Sequence, residues 1–137
     1  MIGRSLSQRF LVLGAVFAGS AVAAGAFGAH ALKNILDVAS LQVFETATRY
    51  QMYHAIGLCI VSWAIDRYPD QRLQLIGWLF TIGILLFSGS LYVVTLGGIR
   101  WLGAVTPIGG FAFLAGWILL GCRIWRDALP CTINPTT

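Results

Sequence analysis

LQLIGWLFTIGILLFSGSLYVVTLGGI, residues 73–99, is 27 residues long and carries no charge. A helix crosses the hydrocarbon core of a bilayer with about 20 apolar residues. This stretch is more than long enough, and its excess predicts a tilt or an end at Gly97-Gly98. The run is continuous and does not alternate, so it predicts a helix and not a strand of a membrane barrel. Outward from it, Phe10–Ala29 and Trp101–Cys122 are equally free of Asp, Glu, Lys and Arg. A shorter charge-free stretch, Tyr50–Ile65, lies between Arg49 and Asp66. The segment before it, Leu41 to Arg49, has no Gly or Pro, which predicts one helix from about Ser40 with its first turns at the interface. Glu45 and Arg49 stand i,i+4 on that helix, the spacing of an interfacial ion pair.

Composition agrees. The 137 residues suffice for one domain. Apolar residues make up 58% and charged residues 10%, against roughly a quarter charged in soluble proteins. Mean hydropathy is +0.80. So few charges cannot cover the surface of a small soluble domain, which excludes a cytosolic globular protein, a disordered tail and a nucleic-acid binder. The net charge of +4 comes from nine scattered basic residues, not a patch. The expected fold is all-α: an integral membrane four-helix bundle over residues 1–126, with spans at about 10–30, 40–66, 73–98 and 104–125. Residues 127–137, with two prolines, read as a flexible C-terminal tail.

Loop charge sets the expected orientation. The N-terminus, second loop and C-terminus hold Arg4, Arg9, Arg67, Arg72, Arg123 and Arg126, whereas the first and third loops hold Lys33, Arg49 and Arg100. This bias predicts both termini in the cytoplasm. Arg4 and Arg9, an apolar run and Ala21-Val22-Ala23 also resemble a secretory signal peptide, but the run continues to Phe27, beyond the 7–15 residues usual for one. The segment therefore reads as a retained span. Cys59, Cys122 and Cys131 have no zinc or CxxC spacing and read as free thiols.

Lipid tails remove the hydrophobic drive between helices, so close backbone approach matters. Ala21, Gly25 and Ala29 form an i,i+4 stripe that suits the centre of a bundle, and Gly109, Gly110 and Gly116 give span four a similar surface. Polar side chains at membrane depth are costly and few. With the spans alternating in direction, His30, Gln51, His54, Ser88, Ser90, Tyr92 and Thr106 all fall in the outer leaflet. Gln51 and His54 are three apart and expected on one helical face, with His54 bonded to His30 or Tyr92. This cluster reads either as an interhelical network or as a binding site. Two histidines at one depth leave a haem or metal open, although no HExxH or CxxCH motif is present. No embedded carboxylate or arginine ladder supports an ion-coupled transporter, and Ser88-Gly89-Ser90 lacks the frame of a nucleophile elbow.

Four motifs now stand in order: Gly25-Ala26-Phe27-Gly28-Ala29-His30-Ala31-Leu32; Phe44 to Ala55, with Glu45, Thr46, Arg49, Tyr50, Gln51 and His54; Phe87-Ser88-Gly89-Ser90-Leu91-Tyr92; and Thr106-Pro107-Ile108-Gly109-Gly110 with Gly116-Trp117. Together they resemble a family of small membrane proteins catalogued as domain of unknown function 423, which includes transmembrane protein 256-like proteins. The resemblance covers roughly residues 10–122. It implies four transmembrane helices in a bacterial cell (inner) membrane, or a mitochondrial membrane in a eukaryote, and supplies no activity. By motif it carries over His30, Phe44, Gln51, His54, Ser88, Ser90, Tyr92, Pro107 and Gly110.

The expectation is a non-enzymatic multi-pass protein, an accessory subunit or a component that binds lipid or a small apolar ligand in a membrane complex. No cofactor or metal is expected, and the partners are membrane lipid, other membrane subunits or further copies of the chain. Two alternatives stay open: a small oligomeric transporter or channel, and a bis-His haem or quinone redox carrier.

Overall fold

A computed structural model describes residues 2–68 and 70–128, with side chains from residue 6 to residue 126. Four long helices follow one another: α1, Ile2–His30; α2, Val38–Arg67; α3, Gln71–Gly97; and α4, Thr106–Ala128. Short 3-10 turns at Leu32–Asn34 and Arg100–Ala104 join α1 to α2 and α3 to α4. Most of the segment read as a tail lies outside the described residues, Cys131 with it; its first two residues, Asp127 and Ala128, belong to α4.

The boundaries follow from local chemistry. Asp37 caps α2: its Oδ1 accepts from the Ser40 backbone N–H at 2.9 Å, and its Oδ2 from the Ser40 hydroxyl at 2.9 Å. These bonds hold the Asp37 carboxyl below the usual carboxylate range. Asp70 caps α3 through the Arg72 N–H. α3 ends where Gly98 turns left-handed at φ 67°, a conformation without steric cost only for glycine.

Three of the helical segments, around α1, α3 and α4, are long and apolar enough to cross a membrane. α2 falls short because it carries Gln42, Glu45, Arg49, Gln51, His54 and Asp66. Yet α2 is the hub. Each helix packs chiefly on its sequence neighbours, and α1 meets α3 at only a few positions. The small-residue character of α1 therefore does not place it at the centre, contrary to the sequence expectation. A chain whose turns are this short stacks each helix on the next, so the two middle helices acquire two neighbours each and α1 only one. The buried face of α1 is Ser7, Phe10, Gly14, Ala21 and Gly28, a heptad-like series, whereas Ala29 is exposed and Gly25 makes only ordinary contact with Thr48.

Packing is by phenylalanine rings seated against glycines. Phe80, fully buried, lies between Gly57 of α2 and Gly116 of α4; Phe113 sits on Gly83; Phe10 sits on Gly77; and Phe44 covers Gly28. Gly109 brings α4 against the backbone of α3 at Phe87, and Gly14 brings α1 against the Ala55 carbonyl of α2. Where no solvent drives burial between helices, contact of this kind supplies the dispersion that holds them together. Phe80→Ala would open a cavity costing about 3–5 kcal/mol by analogy with soluble cores.

Candidate functional site

The polar residues expected to form one cluster are divided among three seams. Between α1, α2 and α3, Gln51 is buried and uses both ends of its amide. Its Nε2 donates to the Phe17 carbonyl at 2.9 Å and to Ser20 Oγ at 2.8 Å; the Tyr92 hydroxyl donates to its Oε1 at 2.9 Å and lies 3.2 Å from Thr48 Oγ1. Between α2 and α3, the Ser88 hydroxyl donates to the Ala47 carbonyl at 2.8 Å. Between α3 and α4, Ser90 donates to the Phe87 carbonyl, so the 2.7 Å contact of Ser90 with Thr106 has Thr106 as donor. Ser20 and Thr48 were not singled out in the sequence; Thr48 stands a helical turn from Gln51, which was the available signal, and Ser20 had none.

His54 joins none of these networks, and the expected bond to His30 or Tyr92 does not form. The reason is angular. Residues three apart on a helix are about 60° apart around its axis. On α2, Phe44, Thr48, Gln51, Ala55 and Cys59 look toward α1, while Ala47, His54 and Gly57 look toward α3 and α4. His30 is exposed at the end of α1, far in sequence from the helices that surround His54. Glu45 and Arg49 are both exposed and form no ion pair; among the described residues the ion pair is Asp70–Arg123, which ties the start of α3 to the end of α4.

His54 is instead held among rings. It stacks on Phe113 with centroids 3.3 Å apart and planes 8° apart, faces the edge of Phe80 at 5.5 Å, and has Tyr50 nearly parallel to it at 6.1 Å. It is 4% exposed. Its Nδ1 lies 2.7 Å from the Tyr50 carbonyl. A carbonyl can only accept, so Nδ1 carries the proton and Nε2 presents a lone pair. Nε2 has no partner among the described residues and is not fully enclosed, and His54 is one of the residues that line the space beside it. That space is a cavity of about 660 Å³ between α2, α3 and α4, walled by Tyr50, Tyr53, Phe87, Phe113, Trp117 and their neighbours. It is an open groove whose size and mostly apolar walls, with His54 and the phenols of Tyr50 and Tyr53 among them, suit a small molecule.

At the opposite end of the bundle a second, polar cavity of about 470 Å³ is lined by Asp70, Arg72, Arg123 and Arg126. The Arg72 N–H and the Arg123 guanidinium hold the Asp70 carboxyl below the usual carboxylate range. Among the described residues no three His, Cys, Asp or Glu side chains gather as a metal site would require.

Residues 24–110 match the family model described as "Protein of unknown function (DUF423)". That stretch contains both Gln51 and His54. A UPF0382 membrane protein of Staphylococcus saprophyticus is 49% identical over 111 residues, covering 81% of this chain and 92% of the relative. A UPF0382 membrane protein of Bacillus subtilis is 46% identical over 112 residues, covering 81% and 91%, and one of Staphylococcus haemolyticus is 46% identical over 111 residues, covering 81% and 90%. No solved structure matches the chain. The names of these relatives state a membrane location and no activity, and nothing in them points to catalysis. With close to half its residues shared across four-fifths of its length, the chain belongs to the DUF423 family of membrane proteins.

Proposed function

We propose that this protein is a non-enzymatic, four-span component of a bacterial inner membrane, with both termini cytoplasmic, and that it binds a small apolar ligand in the aromatic cavity beside His54. One observation carries the reading. A histidine buried to 4% exposure has its Nδ1 satisfied by Tyr50 and its Nε2 without a partner among the described residues, and it lines a mostly apolar cavity. A side chain that served only packing would leave no acceptor there, because an unmade hydrogen bond in an apolar site costs about 1–3 kcal/mol. An apolar molecule with one hydrogen-bond donor removes that cost and fills the cavity. Such a molecule reaches the site laterally from the membrane, since Tyr50, Tyr53 and Phe111 on its rim are exposed. The sparse charge outside the helices favours lipid, further membrane subunits or other copies of the chain as neighbours.

The test uses 2-naphthol, a planar apolar ring with one hydroxyl, titrated into the full chain in lipid nanodiscs, with empty nanodiscs as reference. Saturable quenching of tryptophan fluorescence, weakened at least tenfold in His54→Ala at unchanged helix content, is the expected result. Equal quenching in wild type and His54→Ala would remove the cavity as the binding site.

A further inference from the structure

We infer that the cavity selects the reduced, hydroxyl-bearing form of a planar ring ligand, a quinol or phenol headgroup, over the corresponding quinone. This inference rests on the proposed binding reading and specifies the ligand's chemistry. The argument begins with shape. His54 stacks on Phe113 with ring planes 8° apart and has Tyr50 nearly parallel to it, 18° from its own plane with centroids 6.1 Å apart. Phe87 and Trp117 complete a wall of rings around the opening. Flat faces of this kind favour a flat occupant, which stacks with offset or edge contact, over a branched or flexible one.

Polarity then chooses between the two oxidation states of such a ring. The proton on Nδ1 is fixed by the Tyr50 carbonyl, so the Nε2 edge accepts and does not donate. A quinol hydroxyl donates to it. A quinone oxygen meets it lone pair to lone pair, and the alternative tautomer would turn the Nδ1 lone pair on the Tyr50 carbonyl at 2.7 Å. The other polar groups on the cavity wall, the phenols of Tyr50 and Tyr53, can donate or accept and so serve either form. His54 is the group that discriminates. Phe80 and Phe113 hold the plane of its ring from α3 and α4, and a half-turn within that plane would break the Nδ1 bond to the Tyr50 carbonyl. No electron transfer is implied; the proposal concerns which form is bound.

The expected preference is about tenfold, the worth of one well-made neutral hydrogen bond in an apolar site. By linkage, tenfold tighter binding of the quinol raises the two-electron potential of the bound couple by about 30 mV. The experiment measures dissociation constants of a short-chain naphthoquinol, kept reduced under argon, of its quinone, and of its dimethyl ether, for the full chain in nanodiscs. The result expected is tight quinol, with quinone and ether each about tenfold weaker, and the difference erased in His54→Phe, which keeps a ring on Phe113. Equal affinity for quinol and ether in the wild-type protein overturns the inference while leaving the cavity as a binding site, and does so without relying on any variant to fold. Failure of all three ligands to bind overturns the binding reading itself. A Soret band in the protein purified from its own membranes would give Nε2 to a haem iron and overturn the inference as well.

Discussion

Gly109 and Gly19 look alike in the sequence, and the structure predicts opposite responses when each becomes alanine. At Gly109 an added Cβ would lie 2.5 Å from the Phe87 backbone nitrogen and 2.9 Å from its Cα. Ordinary contact begins near 3.4 Å, so α4 and α3 must part by about 0.9 Å. The obstacle is backbone, which has no rotamer to escape into. Overpacking of this kind costs about 1–3 kcal/mol, and Phe113, one turn along α4, would lift from His54 as α4 moves. At Gly19 an added Cβ meets nothing within 4 Å. There the substitution only improves helix propensity, worth up to about 1 kcal/mol in α1. The pair should therefore differ by about 1–4 kcal/mol, with Gly109→Ala below wild type and Gly19→Ala at or above it. Thermal unfolding of the detergent-solubilised protein, followed by circular dichroism, measures this directly. If Gly109→Ala is as stable as wild type, α3 and α4 do not approach through Gly109. If Gly19→Ala is destabilised equally, that face of α1 is covered by something other than lipid or detergent.

Gln51→Leu removes three bonds that join α1, α2 and α3; since interhelical bonds in membranes average about 0.6 kcal/mol, the expected loss is roughly 1–2 kcal/mol with helix content retained, and a neutral outcome in the same melt would show that the network adds nothing. For Asp70, whose carboxyl is held below its ordinary range by the Arg72 N–H and Arg123, the unfolded chain takes up a proton first as pH falls. Its contribution is thus complete above about pH 4 and disappears as pH drops through the lowered folded value. The difference in melting temperature between wild type and Asp70→Asn should be present at pH 7 and should vanish in strong acid; a gap independent of pH contradicts the pairing. Lys33→Cys and Arg100→Cys should react with an impermeant maleimide in intact cells, and reaction only after permeabilisation would invert the proposed orientation.

Three helices were legible in the sequence because unbroken apolar length is sufficient to specify them, α2 was legible because no Gly or Pro interrupts the segment before its short apolar run, and Gly97-Gly98 was legible as a stop because a left-handed turn needs glycine. That most of the polar residues share one level of the bundle was legible too, since alternating direction brings Gln51 beside Tyr92 and Ser90 beside Thr106. Their partners were not. The 60° between Gln51 and His54 is small on one helix viewed alone, but α2 has a different neighbour on either side of that angle. Which ring would sit on which glycine was also beyond reach: Phe80 could have been matched with any of several glycines at its level, and only three-dimensional packing selects Gly57 and Gly116. The small residues of α1 misled for a related reason. Small size permits close approach and does not say how many helices will make it.

The same packing explains why a cavity lies at the seam of α2 and α4. Neighbouring helices in this chain approach closely through glycine, whereas α2 and α4 have almost no close backbone approach to each other. The gap between them is spanned by side chains: Phe80 reaching from α3 to Gly57 and Gly116, Trp117 beside Phe80 at 4.9 Å, and Phe113 on His54. Side chains can adjust to an occupant at the cost of a rotamer, while backbone contacts such as Gly109 on Phe87 cannot. A polar helix at the hub also supplies what an apolar one could not, a histidine with a second edge left over after its backbone bond. Gln51 spends every hydrogen-bonding group on holding α1 and α3 to α2. His54 spends one of its two, and the other faces the seam that has room for a ligand.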